Sequence, residues 1–165
     1  MCFGSPGISI FTVMNDKDVK EAVTCAIRHI GTGIYSSGKI YIYLANKGFD
    51  ESVCAAAVKE LVSTGYIDDR RAAKKVLFVR SGKKQESRNY MYQRLLEAGI
   101  GSDIADDVVA SLPDDVDTCK TLYEASFVPS GEEYSDREDE FIKLAQLRGY
   151  GIETARTAFR QFTGC

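Results

Sequence analysis

Apolar residues recur along this chain at helical spacing, and in three places they follow the same kind of turn. The turns are Lys47-Gly48-Phe49, Ala98-Gly99-Ile100 and Arg148-Gly149-Tyr150. Counting from each glycine, offsets +5, +6, +9, +10 and +13 select Val53, Cys54, Ala57, Val58 and Leu61 in the first copy. They select Ile104, Ala105, Val108, Val109 and Leu112 in the second, and Thr154, Ala155, Ala158, Phe159 and Phe162 in the third. Each set is one apolar stripe on a helix. The helix before each glycine supplies facing residues: Ile40 and Leu44, Met91 and Leu95, Phe141 and Ala145. The glycines stand 51 and 50 residues apart, which marks a repeated supersecondary unit.

Start and stop signals divide the rest. Asn15 and Asp16 open a first helix that stops near Gly31 or Gly33, and Ser36 or Ser37 opens a second that runs to Lys47. Gly48 provides the left-handed cap that a residue with a Cβ resists, and Asp50 begins a third helix that Gly65 closes. Asp68-Asp69 starts a helix to about Arg80, residues 84–98 form the next, and Ser102 opens one to Leu112 before Pro113. Asp114-Asp115 begins a helix to about Phe127, Pro129-Ser130-Gly131 is a loop, and Ser135-x-x-Glu138 reads as a capping box. Residues 151–163 finish the chain. The expected fold is all-α: three tandem three-helix repeats forming an elongated, curved array. The expected units are residues 16–66, a basic 67–113 and an acidic 114–165, behind an N-terminal extension 1–15 in which Ile8 to Val13 could be a short strand.

Composition is that of an ordinary globular protein, with 44% hydrophobic and 27% charged residues. The net charge of −3 conceals an internal division. Residues 70–94 hold nine Lys and Arg against one acid, Glu86, a net of +8, whereas residues 97–165 hold 15 acids against six bases, a net of −9. A basic centre on an acidic chain suits a local polyanion contact, although most charge runs are simply solvated helix faces. The five cysteines, at 2, 25, 54, 119 and 165, show no C-x-x-C spacing and read as reduced apolar fillers in a cytoplasmic protein. No stretch approaches the length of a membrane span or has the form of a secretory signal.

The stretch Gly65-Tyr66-Ile67-Asp68-Asp69-Arg70-Arg71-Ala72-Ala73 resembles the signature segment of the RecX family of recombinase regulators. The turns at Gly48 and Gly149 do so too, and Arg88 to Ile100 is similar to that family's second module. The resemblance covers about residues 17–163. It implies tandem three-helix modules that bind the RecA recombinase filament on single-stranded DNA and inhibit its ATPase and strand exchange, in DNA repair and the SOS response. Two departures stand out. The family usually has an aromatic where this chain has Ala72, a place that Phe78 could take over, and Thr154 and Ala155 are small for their core offsets.

The basic block is the candidate for contact with the filament or its DNA. Arg70, Arg71, Lys74 and Lys75 share one helix face, and Lys83, Lys84, Arg88 and Arg94 could continue it. Tyr90 and Tyr92 lie among these bases and could stack on unpaired nucleobases or pack in a seam. Catalytic chemistry finds no foothold. His29 is the only histidine, no P-loop is present, and Asp68-Asp69, Asp106-Asp107 and Asp114-Asp115 serve more simply as caps or solvated faces than as metal ligands. The expectation is a monomeric, non-enzymatic regulator without cofactor or metal. The alternatives are a helical DNA-binding module, with the 84–98 helix entering a major groove, and a generic protein-interaction scaffold.

Overall fold

The computed structural model describes residues 15–128 and 137–164. The expectations for residues 1–14, for the 129–131 loop, for the Ser135 cap and for Cys2 and Cys165 lie outside the described residues. Within them the chain is all-helical with no strand: α1 (Asp16–Ile30), α2 (Ser37–Asn46), α3 (Glu51–Ser63), α4 (Asp69–Val79), a single 3-10 turn (Gly82–Lys84), α5 (Arg88–Glu97), α6 (Ser102–Ala110), α7 (Asp115–Phe127), α8 (Glu138–Leu147) and α9 (Ile152–Thr163). Polar caps set many of the starts. Asn15, Ser36, Asp68, Ser87 and Asp114 each accept a backbone N–H from the first turn of the helix that follows. The cap at Ser87 starts α5 four residues later than the pattern suggests, and Gly82–Lys84 makes a separate turn.

The helices bury their apolar stripes by threes. Ala22, Ile30, Ile40, Leu44, Cys54 and Leu61 belong to a cluster built by α1, α2 and α3. Ala72, Ala73, Leu95, Ile100 and Ala105 make a smaller one within α4, α5, α6 and the turn at Gly99. The α7–α9 cluster is aromatic: Tyr123 is fully buried, with Phe141 and Phe159 edge-on to it at ring separations of 4.9 and 5.5 Å. Ala155 therefore sits in a core already filled by rings, which is why a small residue suffices there, and Thr154 is only half-buried.

Two joints of the same design link these clusters. In the first, the Ser36 hydroxyl donates to the Ala98 carbonyl and the Gly38 N–H donates to the Gly99 carbonyl at 3.0 Å. Asp69, at the start of α4, accepts the Ser37 backbone N–H at 2.7 Å and the Ser37 hydroxyl. In the second, the Ser87 N–H donates to the Arg148 carbonyl at 3.0 Å, and Asp115 accepts the Arg88 backbone N–H at 2.8 Å. A capping serine thus docks on the glycine turn of the next cluster, and the first aspartate of that cluster's leading helix caps in return.

The turn glycines carry two separate requirements. Gly48, Gly99 and Gly149 all have positive φ, at 93°, 77° and 85°. A Cβ on Gly48 would meet open space. One on Gly99 would lie 2.9 Å from the Lys39 backbone nitrogen and from Ser36 Oγ, and one on Gly149 would lie 2.6 Å from the Tyr90 ring and 2.7 Å from Ser87 Oγ. Gly48→Ala should therefore cost about 1–2 kcal/mol, the strain of a left-handed residue. Gly99→Ala and Gly149→Ala should each cost about 1–3 kcal/mol more, through overpacking. Gly38→Ala should also destabilise, although alanine is the better helix former, because its Cβ would approach the Gly99 carbonyl oxygen to 2.5 Å. Urea unfolding of the four variants checks this ranking; equal losses at Gly48 and Gly149 would contradict it.

Candidate partner-binding face

The first turn of α4 is fixed by Asp68, which accepts the Arg71 N–H at 3.0 Å, and by Asp69, which is held in the first joint. Ala72 and Ala73 turn inward. The helical period then puts Arg70, Arg71, Lys74, Lys75 and Phe78 on the outer side, all exposed. Phe78 is 81% exposed and sits in the angular middle of the four cations. Arg70 pairs with Asp107 at 2.8 Å, both side chains open to solvent, a contact worth little net energy. Arg71, Lys74 and Lys75 have no ion-pair partner among the described residues.

The other basic residues divide into two kinds. Lys83 and Lys84 are exposed on the 3-10 turn without ion pairs among the described residues, and the Lys83 carbonyl accepts from the Arg148 guanidinium at 3.0 Å. Arg88 is turned inward. Its Nη2 reaches the carbonyls of Val109, Ala110 and Leu112 at 3.0–3.1 Å and so satisfies the otherwise unpaired C-terminal end of α6. Arg94 is drawn into a network around Glu86. Its Nε and Nη2 each donate to the Glu86 carboxylate at 3.2 Å, and its Nη1 donates to Glu97 at 3.0 Å. The hydrogen bond to Glu86, then that to Glu97, raises the pKa of Arg94 still further above its ordinary value. Arg80 approaches Glu86 at 3.5 Å. The single acid in the basic block is only 3% exposed, and it orients two arginines.

The structure therefore brings Arg70, Arg71, Lys74 and Lys75 together on α4, and employs Arg88 and Arg94 in intramolecular bonds. Tyr90 lies against Gly149 in the second joint and Tyr92 packs on the α4–α6 cluster, so both are seam residues. The exposed aromatic among the bases is Phe78. The sequence suggests Phe78 as a substitute for the missing aromatic at Ala72, but Phe78 points to solvent and does not fill that place. Its offset of four from Lys74 is the signal that could have put it on the basic face. His29 stacks on Tyr43 at 3.8 Å and lies near Tyr35, a packing role. Asp107 pairs with Arg70, Asp68 and Asp114 act as caps, Asp69 and Asp115 as joint ligands, Asp106 is exposed, and no cluster of potential metal ligands exists among the described residues.

No family model matches the chain. Among curated proteins, it is 26% identical over 148 residues to the regulatory protein RecX of Chlorobium phaeobacteroides strain BS1, covering 90% of this chain and 97% of that one. It is 19% identical over 150 residues to the regulatory protein RecX of Leuconostoc citreum strain KM20; there the match covers 89% of this chain and 56% of the relative, just over half its length. The crystal structure of RecX from Lactobacillus salivarius superposes with a TM-score of 0.70 at 15% identity, over 90% of this chain and 99% of that one, and so shares the fold. Fold and relatives together place the chain beside small all-helical proteins that are named as regulatory. The agreement runs nearly end to end in sequence with one RecX protein and in fold with another, so the chain is similar to RecX proteins along almost its whole length.

Glu86→Gln tests the network. Removing the Glu86 charge, the one buried carboxylate among the described residues, leaves Arg80 and Arg94 facing a neutral amide, and stability should fall by about 1–3 kcal/mol. Both arginines are about one-third exposed, which keeps the loss toward the lower end. Chemical denaturation checks it; Lys74→Gln, on the open face, should change stability by less than about 0.5 kcal/mol.

Proposed function

We propose that this chain regulates a RecA-type recombinase, binding its filament on single-stranded DNA and inhibiting ATPase, growth and strand exchange as part of DNA repair and the SOS response. It acts as a cytoplasmic monomer and without catalysis, by stabilising one filament conformation over the others. Three units, 16–66, 67–113 and 114–165, form a curved array, with the middle unit as the contact element. The observation that carries this reading is the outer face of α4, where Arg71, Lys74 and Lys75 lack ion-pair partners among the described residues and surround an exposed Phe78. The cations meet phosphates or carboxylates, and the ring gives an apolar anchor at the centre, the arrangement of an interface hot spot. The strongly acidic stretch after residue 96 is repelled by DNA, so it faces solvent or basic protein surface.

No observation favours the duplex-reading alternative. Two basic residues of the 84–98 segment, Arg88 and Arg94, are held by carbonyls and carboxylates of the chain itself.

Recombinase ATPase on single-stranded DNA, measured with and without the chain, tests the reading. The wild-type chain should suppress the activity. The triple variant Arg71→Ala, Lys74→Ala, Phe78→Ala should need at least ten-fold more protein for the same suppression while keeping its helical content. If about three cations meet DNA phosphates, the logarithm of affinity should fall against the logarithm of salt with a slope near −2. Unchanged ATPase and filament growth with the wild-type chain, or tight binding to duplex without recombinase, would overturn the proposal.

A further inference from the structure

On the side of α4 adjoining the basic face lies a groove of about 390 Å³, between the start of α2, α4 and the end of α5. Its floor is apolar: Ile34, Tyr35, Ala72, Val76, Val79 and Ala98. Ala72 contributes only a methyl group. Its rim is cationic, with Lys39, Lys75, Arg80 and Arg94 against the single carboxylate of Glu97. Glu97 is already held by Arg94 at 3.0 Å, and Lys39 and Lys75 have no ion-pair partner among the described residues. Arg80 and Arg94 are steadied from behind by the buried Glu86, so the rim is partly preorganised.

We propose that this groove is a docking site for an acidic peptide segment of a partner protein, with one bulky aliphatic or aromatic side chain on the floor and flanking carboxylates on Lys39 and Lys75. Charge complementarity selects the flanks. The floor selects the anchor and argues against a nucleobase. Of the two hydroxyls that line it, that of Ser36 is already committed, donating to the Ala98 carbonyl and accepting from the Lys39 N–H, which leaves the Tyr35 phenol beside carbon. One phenol cannot pair the several donors and acceptors of a base, which would bury most of that edge against carbon, whereas an apolar side chain has no such edge to lose. The groove is separate from the Phe78 side of α4, and Lys75 borders both. The inference rests on the reading that the chain works by binding another protein.

The probe is a fluorescein-labelled synthetic peptide with the sequence Asp-Glu-Asp-Leu-Phe-Asp-Glu. It is compared with one version carrying Ser in place of Leu and Phe, and another carrying Asn and Gln in place of the acids. Anisotropy with the full chain should show binding of the first peptide and at least ten-fold weaker binding of the other two. Ala72→Leu, which fills the floor, and the surface double variant Lys39→Glu, Lys75→Glu should each lose at least ten-fold for the first peptide. Circular dichroism reports whether each variant folds, and the double variant decides the matter if Ala72→Leu does not. The proposal is overturned if the first peptide does not bind or the Ser version binds equally. Indifference of the double variant to the peptide overturns it too. So does displacement of the peptide by a thymidine decamer that itself depends on Ala72, or self-association that the double variant abolishes in place of peptide binding. Recombinase ATPase is read on the same samples. Suppression without peptide binding would remove the groove and leave the filament reading; peptide binding without suppression would do the reverse.

Discussion

A serine hydroxyl set against a turn glycine is the contact on which the rest of this molecule depends. It occurs at Ser36 with Gly99 and at Ser87 with Gly149, and in both places the approach leaves no room for a Cβ. The serines are buried, so their polar groups must be satisfied internally, and the carbonyl preceding each glycine accepts the required hydrogen bond. An aspartate from the next helix closes the joint by capping the backbone beside the serine. Packing and hydrogen bonding therefore specify the same relative position of neighbouring clusters, and a slip would leave buried polar groups unpaired.

That constraint matters most for the middle cluster. Three of its five buried members are alanines, so it has little apolar area with which to hold itself together. It is gripped on one side through Ser36, Ser37 and Gly38 and on the other through Ser87 and Arg88. This support lets α4 present a face made almost wholly of cations and one exposed ring, without larger side chains turned inward. The same economy of side chains at Ala72 leaves the adjoining groove open, so the groove and the thin core have a common origin.

Electrostatics follows the joints. The formal +8 of residues 70–94 overstates what a partner meets. Glu86 is withdrawn from solvent to orient Arg80 and Arg94, Asp107 reaches across to Arg70, and Arg88 is consumed in closing α6. The cations left for a partner are fewer and are concentrated on α4 and the short turn after it. Net charge along a sequence counts formal charges; a partner responds to those that remain exposed and uncompensated.

Much of the fold was legible in the chain because it rests on local rules. Helical periodicity picked out buried residues such as Ile40, Leu95, Ala105 and Phe159, and all are buried. The left-handed conformation of Gly48, Gly99 and Gly149 followed from their places at helix ends. The basic face of α4 followed from the spacing of Arg70, Arg71, Lys74 and Lys75. What the chain could not disclose are matters of long-range approach. Nothing local marks Glu86 as buried, Arg88 as the cap of a helix twenty residues on, or Tyr90 as a seam residue and Phe78 as the free ring. Gly99 and Gly149 look like Gly48 in sequence, yet only those two face a neighbour that forbids a side chain. Periodicity and capping act over a few residues and can be read along one dimension; burial, pairing and clearance depend on which distant surface arrives, and only tertiary packing decides that.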